Sequence, residues 1–199
     1  MRAPVAAGIV ALLLLLLAGC GSRQTSVAAD PAKPIPTPIG LGPRFVPSAH
    51  AASLGGPRAG LACRASTRHG DVAHLELFAQ GRVVLVPEGI GIAPPVRRDL
   101  QRIVSGRCRY PIATFDRTGV VDFTHADSTL GDVFAVWGEP LSHARLASFR
   151  ARPGDGVRAF VAGVPWRGDV RDVPLTHHAE IVVEIDGFVP PHTSYLFPG

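Results

Sequence analysis

Eight histidines and a scatter of carboxylates are the side chains of this 199-residue chain with most scope for chemistry. A metal site needs imidazole and carboxylate ligands that converge, and residues two apart on a strand share a face. The densest local group is His177-His178-Ala179-Glu180. On a strand His178 and Glu180 would point one way and His177 the other, which supplies two ligands. A set for a transition ion would have to be completed through the fold, and its candidates are His74, Asp116, His125 and His178. Catalytic chemistry has less to build on. Ser142 and His143 are sequence neighbours rather than a triad, and no Gly-x-Ser-x-Gly, Gly-rich phosphate loop or His-Glu-x-x-His occurs. Asp116, Asp122 and Asp127 gather around one turn and could form an acidic rim, although turns also use Asp for backbone hydrogen bonds. A non-enzymatic binding or assembly role is therefore favoured, with metal binding as the alternative. Trp166, beside Pro165 in a turn-like stretch, is the candidate for an exposed binding aromatic.

These residues need strands and a helix to hold them. The runs at 73–79 and 82–86 flank Gln80-Gly81 and read as a β-hairpin, and 110–115 with 120–125 reads as a second around Gly119. Between them Val96, Leu100, Ile103 and Val104 have helical spacing. The clearest helix covers Thr129 to Trp137: Leu130, Val133, Phe134 and Trp137 recur at i, i+3, i+4 and i+7. Thr129 with Asp132 can form a capping box, and Gly138 and Pro140 stop the helix. A strand at 157–162 follows. Glu180 to Ile185 then alternates, with Ile181, Val183 and Ile185 expected to face the core. The order hairpin, helix, strand, short strand, strand is that of a β-grasp sheet. The expected class is α+β: a small mixed sheet with one main helix, preceded by an extra hairpin, with a plain antiparallel roll as runner-up. The proline-broken end of the chain should pack back across the sheet through Tyr195 and Phe197.

The N-terminus carries an address. Met1-Arg2 is cationic, and an apolar run of roughly 15 residues follows, with leucine at every position from Leu12 to Leu17. That is short of the about 20 residues needed to span a bilayer, and it fits a signal peptide. Leu17-Ala18-Gly19-Cys20 resembles the lipobox of bacterial lipoproteins, in which the Cys20 thiol receives a diacylglycerol. Each buried acyl CH₂ contributes roughly 0.8 kcal/mol, so two or three chains hold a protein on a membrane without a spanning helix. The expected organisation is a signal peptide at 1–19, a lipid anchor with a Pro/Ala/Gly linker at 20–60, and a globular domain at 61–199. The domain would stand on the outer side of the cell membrane, or in the periplasm on either membrane. Two cysteines then remain, Cys63 and Cys108. In an oxidising compartment they are expected to pair, closing a loop of 45 residues worth roughly 4 kcal/mol in the chain-entropy picture.

The net charge of +4 belongs to the first 60 residues, where Arg2, Arg23, Lys33, Arg44 and Arg58 face Asp30 alone. From residue 61 onward 15 Arg face 15 Asp and Glu with no Lys, so the domain is neutral and lacks the footprint of a nucleic-acid binder. Its partners are expected to be the membrane, through the lipid, and another envelope protein.

From about His74 onward the chain resembles an uncharacterised family of bacterial secreted proteins and lipoproteins. The resemblance is carried by Val86-Pro87-Glu88-Gly89-Ile90-Gly91-Ile92, by Asp116 with Gly119, by Thr129-Leu130-Gly131-Asp132-Val133-Phe134 with Trp137-Gly138, and by Gly168-Asp169 with Pro174-Leu175. The family's second hairpin holds histidines and an acid, which implies a metal or polar ligand. Here the matching positions are Ala113, Phe115, Asp122 and Thr124, so that ligand set has largely gone, leaving Asp116 and Asp122.

Overall fold

The computed structural model describes residues 60–66 and 68–197; the expected signal peptide at 1–19, Cys20 and the expected linker up to residue 59 lie outside the described residues. In chain order the elements are β1 (Asp71–Ala79), β2 (Arg82–Val84), β3 (Ile92–Ala93), β4 (Arg97–Asp99), β5 (Arg102–Ser105), β6 (Cys108–Arg109), β7 (Ile112–Ala113) and β8 (Val120–Phe123). Helix α1 (Leu130–Trp137) follows, then β9 (Leu141–Ser142), β10 (Arg145–Leu146), β11 (Phe149–Arg150), β12 (Arg158–Val161), β13 (Val164–Pro165) and β14 (Glu180–Ile185). The main sheet runs β13-β12-β14-β1-β8-β7, with β2 also on β1.

β1 and β14 form the centre and are parallel, with His74 opposite Glu180 and Ala79 opposite Ile185. The other edge of β1 is shared. Residues 71–74 pair antiparallel with β8, and 77–79 with β2. Between the two, Leu75 N–H donates to the carbonyl of Gly119. Gly119 has φ +85, and a Cβ there would lie 2.6 Å from the Leu75 carbonyl oxygen. Only glycine lets the second hairpin approach β1 this closely. Outer strands β8 and β12 run antiparallel to the central pair, and one helix covers one face, so the domain is a small α+β fold with a mixed sheet and a single helix. The expected first hairpin is present, but its long strand lies at the centre rather than being added outside the grasp. Local turn signals show that β1 pairs with β2; they carry no information about its distant partners.

Alternation builds the core. Ala73, Leu75, Leu77 and Ala79 of β1 and Ile181, Val183 and Ile185 of β14 face Leu130, Val133, Phe134, Val136 and Trp137 of α1. Each fully buried Val, Leu, Ile or Phe side chain here contributes about 1.5–3 kcal/mol. Thr129 caps the helix with Asp132 as a complete capping box, and Gly138 ends it in the left-handed conformation. Cys63 and Cys108 form a disulfide that ties the first described segment to β6. Among the described residues no helix is long and apolar enough to cross a membrane.

The helical spacing at 96–104 is overturned, because this segment is the hairpin β4–β5 with Leu100 at its tip, φ +52 and 94% exposed. Ile103 alone of the four apolar residues is buried. Strand alternation, which needs one inward side chain, prevails over a helix that would have needed a stripe.

Thr129→Ala removes the side-chain acceptor for the Asp132 N–H and one half of the box. It is expected to cost about 1 kcal/mol and a few degrees of melting temperature. Thermal denaturation followed by circular dichroism checks this, and an unchanged midpoint would show that packing alone holds the helix.

Candidate metal centre

The side chains on the other face of the central strands are His74, Glu76 and Phe78 from β1 and Glu180, Val182 and Glu184 from β14. All are buried, so the face is covered rather than solvated. The cover is the C-terminal segment 188–197. Val189 packs on the Phe78, Phe160 and Val182 cluster, and its N–H donates to Glu184 Oε1 at 2.9 Å. His192 Nδ1 lies 2.7 Å from Glu76 Oε2. The Tyr195 ring stacks on His74 with centroids 3.7 Å apart, and Phe197 stacks on His178 at 4.3 Å. The tail thus packs across the sheet through the two aromatic anchors the sequence suggested.

Under this cover one ligand atom each from His74, Glu76 and Glu180 lies within 4.8 Å of the others. His74 and Glu76 are two apart on one strand, and the parallel register sets Glu180 beside His74. His74 Nε2 is 2.8 Å from the Thr118 carbonyl, which can only accept, so this nitrogen carries hydrogen. His74 Nδ1 therefore turns toward Glu180 Oε2, 2.8 Å away. A backbone carbonyl fixing the tautomer of a histidine whose other nitrogen faces carboxylates is the usual second layer of a metal ligand. Glu180 is 1% exposed, and its Oε1 has no hydrogen-bond partner. Burial pushes the Glu180 carboxyl above its ordinary range, opposed by His74. Burial also raises the Tyr195 phenol.

Of the residues singled out in the sequence, His74 belongs to this cluster and the other three candidates do not. Asp116 caps its own turn, accepting from the N–H and hydroxyl of Thr118, whose carbonyl holds His74. His125 is exposed ahead of α1, where its carbonyl accepts from Ser128. His178 has φ +57 and sits in the turn before β14, its ring between His177 and Phe197. It is therefore not the strand partner of Glu180 that the alternation suggested, because the strand begins only at Glu180. Trp166 is 37% exposed, and its Nε1–H donates to the Asp169 carbonyl at 3.0 Å. Of the positions matching the family's histidine hairpin, Ala113 and Phe115 are buried and Thr124 is exposed. Asp122 is taken by Arg109 and His69, each at 2.9 Å.

Glu76 and His192 were not among the sequence candidates. The first had a signal, since His74-Leu75-Glu76 inside a strand places both side chains on one face. The second had none, because nothing local brings residue 192 to residue 76. Comparison of the chain with known protein families, with curated proteins and with solved structures returns no match.

Glu184 lies on the same face, away from the cluster. Burial raises its carboxyl, opposed by the Val189 N–H and by Arg158. A raised folded-state value means that the native chain holds this proton to higher pH than the unfolded chain. The associated stability is present below the ordinary 4.5 and is lost as pH rises through the folded value. Relative to Glu184→Gln, the native protein should therefore lose stability as pH climbs above 4.5. Urea denaturation of both at a series of pH values checks the sign; parallel curves would refute it.

Proposed function

We propose that the chain is a lipid-anchored extracytoplasmic protein whose folded domain binds one divalent transition-metal ion through His74, Glu76 and Glu180. The observation that carries the metal reading is the convergence of three buried ligand side chains, one of which leaves a carboxylate oxygen without a partner. Leaving a buried acceptor unpaired costs about 1–3 kcal/mol, more for a charged group, which a cation at this point would recover. Imidazole with carboxylate suits zinc, iron, copper or nickel, whereas calcium and magnesium prefer oxygen alone.

The anchor is supported by the leader, by the four residues ending in Cys20 and by the proline-rich stretch that follows. The neutral domain favours neither nucleic acid nor strong electrostatic steering. Together these features describe a module held at a membrane surface that sequesters or carries an ion there, with another envelope protein as its partner.

Two measurements test the two halves. Cells expressing the full chain and fed labelled palmitate should yield a labelled protein, and Cys20→Ala should abolish the label; equal labelling would remove the anchor.

The full chain, extracted in mild detergent and dialysed against Zn²⁺, should hold about one ion by elemental analysis. His74→Ala and Glu180→Gln should each weaken that binding about 100-fold or more, beyond the range of an outer-layer substitution. Substoichiometric zinc in the native protein, or full retention in both variants, would overturn the metal reading.

A further inference from the structure

We propose that His192 is the fourth ligand of this site, carried on the C-terminal segment, so that the ion lies between two imidazoles and two carboxylates with the segment closed over it. The inference rests on the metal reading above.

Three protein ligands define a site that keeps one position open to water, whereas four define a closed one. The geometry favours closure. His192 Nδ1 stands 2.7 Å from Glu76 Oε2, which repeats on one side of the cluster the pairing of His74 Nδ1 with Glu180 Oε2 at 2.8 Å on the other. The two pairs adjoin, because His74 and Glu76 are two apart on β1 and Glu180 lies opposite His74. In both pairs a nitrogen and a carboxylate oxygen approach so closely that a proton or a cation must lie between them. One divalent ion can stand in for a proton in each pair. Each imidazole would meet the ion through a bare Nδ1, its hydrogen lost to solvent or carried on Nε2, and no electron is transferred. With both imidazoles neutral, two carboxylates balance one M²⁺. A neutral bound form is what a buried site requires, since an uncompensated charge there is strongly unfavourable.

His192 is outside the group of three whose ligand atoms lie within 4.8 Å, so it must move toward the cluster to reach a shared ion. Its segment is built to allow that. Among the described residues, no backbone–backbone hydrogen bond joins residues 190–197 to the rest of the domain. The segment is held by His192 on Glu76, by Tyr195 stacked on His74 and by Phe197 stacked on His178. His192 itself is 45% exposed in its side chain, so it can shift without opening the core. Tyr195 roofs the ligand ring of His74 and keeps water from that side.

The test loads the full chain in detergent with Co²⁺, whose visible absorption reports coordination number and geometry. The native protein should show the intense bands of a four-coordinate ion. His192→Ala should still bind one ion per chain, but more weakly by about 100-fold or more, with the weaker bands of a site that has taken up water. His192→Asp should recover the four-coordinate spectrum, because it restores a ligand, whereas His192→Phe should not, although it restores a ring. Equal affinity and an identical spectrum in the native protein and His192→Ala would overturn the inference while leaving the three-residue site standing. Failure of the native chain to bind cobalt or zinc at all would overturn both.

Discussion

The parallel pairing of β1 with β14 is the contact on which the rest of this domain depends. It joins the first long strand of the folded region to the last, across more than a hundred residues of chain, as the pairs from His74–Glu180 to Ala79–Ile185. A parallel pair cannot be closed by a tight turn and needs a crossover. Here the crossover is most of the domain: β2 to β8, the helix and β9 to β13 all lie between the two strands. Loop-closure entropy opposes such a distant contact, so apolar burial on the helix side must repay it. Trp137, Phe134 and Leu77 supply much of that burial.

Placing two strands at the centre of a sheet pairs both of their edges, and the C-terminal segment covers the face turned away from the helix, which holds three carboxylates and a histidine. A buried charge needs a partner, and each of these has one within reach: His74 for Glu180, His192 for Glu76, Arg158 and the Val189 N–H for Glu184. Three of these partners come from outside the central pair. The C-terminal segment is therefore part of the electrostatic solution of the fold, and a polar sheet face of this kind would otherwise have to be solvated. The same arrangement gathers imidazole and carboxylate atoms under an aromatic roof.

Local pattern was readable wherever one signal dominated. Leu130, Val133, Phe134 and Trp137, with Thr129 and Gly138 at the ends, specified a helix and both of its boundaries. Ile181, Val183 and Ile185 specified which face of β14 was apolar, and the cysteine count led to the Cys63–Cys108 bond. The pattern misled at 96–104, where four apolar residues at helical spacing belong to an exposed hairpin, because the spacing is shared by both structures over so short a run. It also misled at His178, where a left-handed turn separates the histidine from the strand it was expected to join. At the site, His74 and Glu180 were visible as residues and invisible as a pair.

By itself the sequence determined the periodicities, the caps, the turns, the disulfide partners and the neutrality of the domain. These depend on residues within a few positions of one another or on simple counts. Tertiary structure decided which strand occupies the centre, which carboxylate meets which imidazole, and that the chain's end covers both. Those relations arise when separate segments bury the same apolar surface, and the energy that selects them is shared among many side chains. No single stretch of the chain records that His74, Glu76, Glu180 and His192 meet; the register of two strands and the path of one tail bring them together.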